Sequence, residues 1–76
     1  IAVEDVPLVL GRLRAQLNLS QEGLARELGL SFSTINRWEN ARTRPQGPSR
    51  SQLEFFCGKM VRRGKIDKSL LLESKQ

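Results

Sequence analysis

The side chains of this sequence favour charge and hydrogen-bond chemistry over covalent chemistry. Its 76 residues include no histidine, no tyrosine and one cysteine, Cys57. Without histidine, neither a serine nor a cysteine nucleophile has its usual activating base. Zinc sites draw on clustered Cys and His, so no metal is expected. One cysteine cannot close an internal disulfide, so no oxidising compartment is implied. The glycines at 11, 23, 29, 47, 58 and 64 fit neither common phosphate-cradling spacing. The carboxylates are scattered among basic residues, so no acid pair stands out. No enzyme, cofactor or small-molecule substrate is therefore expected. What remains is an uneven positive charge. Residues 37–65 carry Arg37, Arg42, Arg44, Arg50, Lys59, Arg62, Arg63 and Lys65 against Glu39 and Glu54, a net +6 of the chain's +5 total. Residues 1–36 sum to −1 and residues 66–76 to zero. A basic half on a small chain is the footprint of a polyanion binder, or a solvated surface kept for solubility.

The length suits one small domain over residues 1–76, whose fold buries only ~60% of its unfolded surface. No apolar run approaches the ~20 residues that span a bilayer. No basic-then-apolar leader follows Ile1, and a start other than Met is expected of a fragment of a longer protein. The hydrophobic period is helical throughout. Asp5 before Val6-Pro7 starts a helix in which Leu10, Leu13 and Leu17 make one stripe to about Asn18. Ser20 caps a second helix with Leu24, Ala25 and Leu28 inward and Gly29 at its end. Ser31 caps a third, to about Asn40, with Ile35 and Trp38 inward. Two prolines and a glycine mark a turn after Arg44, and residues 46–50 look like a lengthened loop. Ser51 with Glu54 spells a capping box for the fourth helix, although Pro48 or Ser49 could begin it. Leu53, Phe56, Cys57, Met60 and Val61 form its apolar face, and Gly64 stops it. Ile66 to Ser74 forms a short last helix, with Ile66, Leu70 and Leu71 inward, or frays. The expectation is an all-α fold of four to five short helices. The second and third are so closely joined that they must cross steeply, a helix-turn-helix.

The run Ser20-Gln21-Glu22-x-Leu24-Ala25-x-x-Leu28-Gly29-Leu30-Ser31-x-Ser33-Thr34-Ile35-x-x-Trp38-Glu39-Asn40 resembles the helix-turn-helix of the phage repressor and Cro family, the XRE family. The resemblance reaches from about Leu10 to Pro45, with the motif at about 20–41. It implies a lambda-repressor-like DNA-binding domain whose third helix lies in the major groove. Ile35 and Trp38 point inward, so Phe32, Ser33, Asn36, Arg37 and Asn40 fall on the opposite side. The resemblance places Phe32, Ser33, Asn36 and Arg37 at the base-facing positions. Arginine can pair with guanine and asparagine with adenine; Phe32 departs from the polar residue often found there, and could instead pack in the core or meet a partner. The resemblance also assigns phosphate contacts to Gln21, at the start of the second helix, and to Asn40, Arg42 and Arg44 after the third. Such contacts give grip and register without reading sequence. Arg14 and Glu39 match a structural ion pair of the family. Ala41 stands where relatives commonly carry glycine, so the shape of that turn is in question.

These residues point to sequence-specific binding of double-stranded DNA, in transcriptional regulation or in targeting a larger protein. The resemblance implies a cytoplasmic bacterial, archaeal or phage regulator. The alternative is a protein–protein interaction module on the same fold, for which Phe32 is the best argument. RNA is the weaker option, because an A-form groove does not admit a helix. Reading two half-sites would need a homodimer, and the last helix with Leu70-Leu71-Leu72 is the candidate surface unless it only completes the core.

Overall fold

The computed structural model describes residues 5–72. Its elements run α1 (Val6–Leu17), α2 (Gln21–Leu28), α3 (Phe32–Glu39), α4 (Gly47–Arg62) and a short 3-10 segment (Lys68–Leu72). No strand occurs among the described residues. Among them, no helix is long and apolar enough to cross a membrane. Ile1 and the stretch from residue 73 to Ser74, which the expected last helix included, lie outside the described residues.

The first three helices begin on the side chains that the sequence offers. Asp5 Oδ1 accepts from the Leu8 N–H, Ser20 Oγ from the Gly23 N–H at 2.9 Å, and Ser31 Oγ from the Thr34 N–H at 3.2 Å. Each oxygen satisfies one of the amides that a helix start leaves unpaired. All four helices end alike. A residue in the left-handed conformation follows or closes each one: Asn18, Gly29, Ala41 and Gly64. The next amide then reaches back to the last turn: Leu19 N–H to Arg14 O, Leu30 to Ala25, Arg42 to Arg37 and Lys65 to Met60, each at 2.9 Å. This closure pairs carbonyls that the last turn would otherwise leave free. Asparagine and glycine tolerate the conformation. Ala41, at φ +58°, does not tolerate it well, yet the turn keeps the shape a glycine would give it.

The fourth helix departs from expectation. Ser51 and Glu54 do not form a capping box, because the helix begins at Gly47 and both lie inside it. Pro48 decides this: in a first turn its fixed φ suits the helix and its missing N–H is no loss. Gly47 takes φ +56° at the junction, and Glu54 turns instead to Arg50, 2.9 Å away along the helix. Most of the stretch 46–50 is therefore the first turn of α4, and no lengthened loop results.

One core joins the helices. Leu10 and Leu13 of α1, Leu24 of α2, Ile35 of α3 and Leu53 and Cys57 of α4 are almost fully buried, with Trp38 and Phe56 close behind. Each such leucine or isoleucine contributes roughly 1.5–3 kcal/mol by leaving water. A chain this long has a total stability of only ~4–11 kcal/mol, so few of them are dispensable. Burial pushes the Cys57 thiol up to about 11, so it stays an unionised core group. Ile66, Leu70 and Leu71 close the bottom of this core, and the 3-10 segment packs on α1. Of the two roles open to the last helix, Leu70 and Leu71 take the second: they face inward and complete the core.

Candidate nucleic-acid interface

The α2–α3 unit is fixed from inside. Gly29 turns the chain in the left-handed conformation, and only Leu30 and Ser31 separate that turn from α3. Ala25 and Leu28 of α2 are buried with Ile35 and Trp38 of α3, and the small Ala25 lets the helices approach closely. With Ile35 and Trp38 inside, the helical period leaves a continuous outer face. Phe32 is 49% exposed at its N-terminal end. This excludes a core role for Phe32. Ser33, Arg37 and Asn40 are exposed, and Asn36 is half-buried.

A hydrogen-bonded chain of side chains joins three helices under one edge of this face. Arg14 of α1 donates twice to Glu39, from Nε at 2.7 Å and from Nη2 at 3.1 Å. Its Nη1 donates to the Leu19 carbonyl at 3.2 Å. Gln21, opening α2, donates to Glu39 Oε1 at 3.0 Å, the oxygen that Arg14 Nη2 also reaches, and accepts from Asn36 Nδ2 at 3.2 Å. Asn40 in turn donates to the carbonyl and the side-chain oxygen of Asn36. Burial opposes the charge on Glu39 most strongly. The hydrogen bonds from Arg14 and Gln21 and the positive charge of Arg14 outweigh it, and its pKa falls below the usual carboxylate value. The same hydrogen bond raises the pKa of Arg14, against a smaller opposing effect of burial.

The consequence is electrostatic. Glu39 is the one carboxylate of α3, and it is turned away and matched by Arg14. Arg37, Arg42 and Arg44 are exposed, and their side chains make no hydrogen bond or ion pair among the described residues. The loop that carries Arg42 and Arg44 is anchored by the Arg42 N–H to the Arg37 carbonyl and by the buried Pro45. Three unopposed guanidinium groups therefore stand at one end of α3, with the α2 N-terminus beside it. Anions are attracted to both.

The structure brings Gln21, Asn36 and Asn40 together, although the first and second stand 15 residues apart. Only the four-residue spacing of Asn36 and Asn40 was visible in the sequence. Gln52 was missed altogether. Its Nε2 donates to the Leu28 carbonyl at 3.1 Å and stitches α4 to the end of α2, across 24 residues and without a local signal.

The helix-turn-helix family matches residues 10–48, half of the chain and all of the α2–α3 unit. No curated protein matches the chain. No solved structure matches it either. The match covers the serine-capped helix pair, the turn at Gly29 and the basic loop, and by it the chain belongs to the helix-turn-helix family of DNA-binding domains, of the Cro/C1 (XRE) type.

Proposed function

We propose that this chain binds double-stranded DNA in a sequence-dependent way, with α3 in the major groove and phosphates held on either side. The observation that carries this is the outer face of α3 and its following loop. Arg37, Arg42 and Arg44 are unpaired there, while Glu39 is neutralised by Arg14. Arg37 is the guanine reader, bidentate to O6 and N7. Asn36 is the adenine reader. It gives one N–H to Gln21 and shares its oxygen with Asn40, which leaves one N–H and one lone pair for a base. Phe32 meets a thymine methyl, and Ser33 adds a hydroxyl without selecting a base. Gln21, Asn40, Arg42 and Arg44 hold phosphates, Gln21 with help from the α2 N-terminus. The outcome is regulation of transcription, or DNA targeting of a larger protein, in the cytoplasm of a bacterial, archaeal or phage-infected cell.

A preferred duplex is first selected from a random pool, and affinity is then followed by fluorescence anisotropy against salt. Arg42→Ala weakens binding to all duplexes alike and lowers the salt slope by about one unit. Arg37→Ala costs ~1–3 kcal/mol on the preferred duplex and relaxes the choice at one base pair. A uniform loss from both substitutions refutes base reading by Arg37. Protein recognition is the second reading, and the exposure of Phe32 favours it. On that reading Phe32→Ala leaves DNA affinity at every salt unchanged.

A further inference from the structure

The chain of side-chain hydrogen bonds under α3 has a direction. It starts at the Glu39 carboxylate, which only accepts once ionised. Arg14, a donor at every nitrogen, keeps it ionised and holds both of its oxygens. Glu39 Oε1 therefore takes the amide nitrogen of Gln21, at 3.0 Å, and not its oxygen. The Gln21 oxygen is left to face α3, where it accepts from Asn36 Nδ2 at 3.2 Å. The Asn36 oxygen then faces Asn40, whose Nδ2 stands 3.3 Å away. The far end is fixed independently. The same Asn40 nitrogen donates to the Asn36 backbone carbonyl at 2.9 Å, and a carbonyl only accepts. Acceptors at the two ends of the chain thus impose one and the same polarity on the Asn36 amide.

We infer that Glu39, acting through Gln21, sets which way round the Asn36 amide meets DNA, and so which base it selects. Glu39 and Gln21 are then positioning residues for base reading; the inference rests on the proposed reading of adenine by Asn36. Adenine offers an acceptor at N7 and a donor at N6, which an asparagine must meet with its N–H and its oxygen in that order. The two ends of a free amide differ little in shape, so it can turn over and set oxygen against N7. In this chain a reversed Asn36 sets oxygen against the Gln21 oxygen and nitrogen against the Asn40 nitrogen. Gln21 and Asn36 are both half-buried, so unpaired atoms there are costly. The side chain is ordered before a base arrives, which removes that cost from binding. A glutamine in place of Glu39 breaks the polarity, because it has one acceptor oxygen for three donors. With that oxygen held at the shortest contact, 2.7 Å from Arg14 Nε, its NH2 stands where Oε1 stood. Gln21 then turns its oxygen toward Glu39's position and its nitrogen toward Asn36. No orientation of Asn36 satisfies both that nitrogen and the one on Asn40.

Competition anisotropy tests this, with the preferred duplex set against duplexes changed at each base pair in turn. The temperature is one at which circular dichroism shows every variant folded. Asn36→Ala identifies the base pair that Asn36 reads, where the wild type prefers adenine by ~5–150-fold. Glu39→Gln loses most of that preference, and keeps both the preference at the base pair read by Arg37 and the salt slope. Gln21→Leu loses the same preference with the Arg14–Glu39 bonds in place, so the test stands even where Glu39→Gln fails to fold. Adding Asn36→Ala to either variant costs no further selectivity at that pair. A merely structural Glu39 lowers affinity for all duplexes alike, and that result overturns the inference. So does a Gln21→Leu variant with the preference intact. If Asn36→Ala relaxes no base pair, the reading of adenine fails and the inference fails with it. If it relaxes one that Glu39→Gln and Gln21→Leu both keep, base reading by Asn36 stands and the inference alone is overturned.

Discussion

The Arg14–Glu39 contact is the most consequential polar link in the fold, and Glu39→Ala tests it. The substitution removes the acceptor of three hydrogen bonds: 2.7 and 3.1 Å from Arg14, and 3.0 Å from Gln21. It leaves Arg14 with only the Leu19 carbonyl. Breaking a fully buried ion pair from one side costs ~3–5 kcal/mol, mostly for the charge left behind. Here the side chains of Arg14 and Glu39 are 27% and 13% exposed, so water can re-enter and recover part of that. The expected loss is ~2–3 kcal/mol. In a domain of this size that lowers the Tm by roughly 8–20 °C. Thermal unfolding followed by circular dichroism reads it directly. The double variant Arg14→Met, Glu39→Leu distinguishes an orphaned charge from lost packing. It removes both charges and is less destabilised than Glu39→Ala alone. A Glu39→Ala melting temperature within about one degree of wild type, or a double variant whose loss equals the sum of the singles, refutes the reasoning.

Two further outcomes follow from the same geometry. Ala41 holds φ +58°, a strain of ~1–2 kcal/mol for a side-chain-bearing residue, whereas glycine there adds ~0.5–1 kcal/mol of unfolded-state entropy. Strain relief wins, and Ala41→Gly raises the midpoint of urea unfolding by a gain of ~0.5–1 kcal/mol; a lowered midpoint rejects the strain. The pH dependence has a fixed sign. The folded pKa of Glu39 is depressed, so its contribution is complete above the ordinary carboxylate pKa of ~4.3 and is lost as pH falls through the lower folded value. The gap in Tm between wild type and Glu39→Gln is therefore full at neutral pH and closes in acid below that pKa. A gap that stays constant into strong acid contradicts the assignment.

Much of this fold is written locally. Asp5, Ser20 and Ser31 are caps because their oxygens reach amides three residues on, and Gly29 and Gly64 are stops because they turn left-handed without strain. The inward positions of α2 and α3, and Leu10 and Leu13 of α1, followed from helical spacing alone; the burial of Val6 and Val9 beside them did not. Local rules failed where two signals competed or where distance mattered. At α4 the Ser51–Glu54 pattern lost to Pro48, since a proline fits only the first turn. Leu70 and Leu71 could have faced a partner or α1, and only the closed core decides between them. The Gln21–Asn36 and Gln52–Leu28 bonds cross helices, where spacing carries no information. Among the candidate contacts, the outward placement of Phe32, Ser33, Arg37 and Asn40 was legible from the period, whereas Arg42 and Arg44, in the loop beyond the helix, were singled out by the family resemblance alone. The half-burial of Asn36, and its tie to Gln21, was not.

The central claim is that the α2–α3 unit and its loop meet DNA. It is tested most directly by following the backbone amides of the isotope-labelled chain by NMR, as a mixed-sequence duplex is added at low and at physiological salt. The account predicts shifts concentrated at residues 20–22 and 31–44 that weaken as salt rises. Amides that do not move, or shifts confined to the basic stretch 59–68, contradict it.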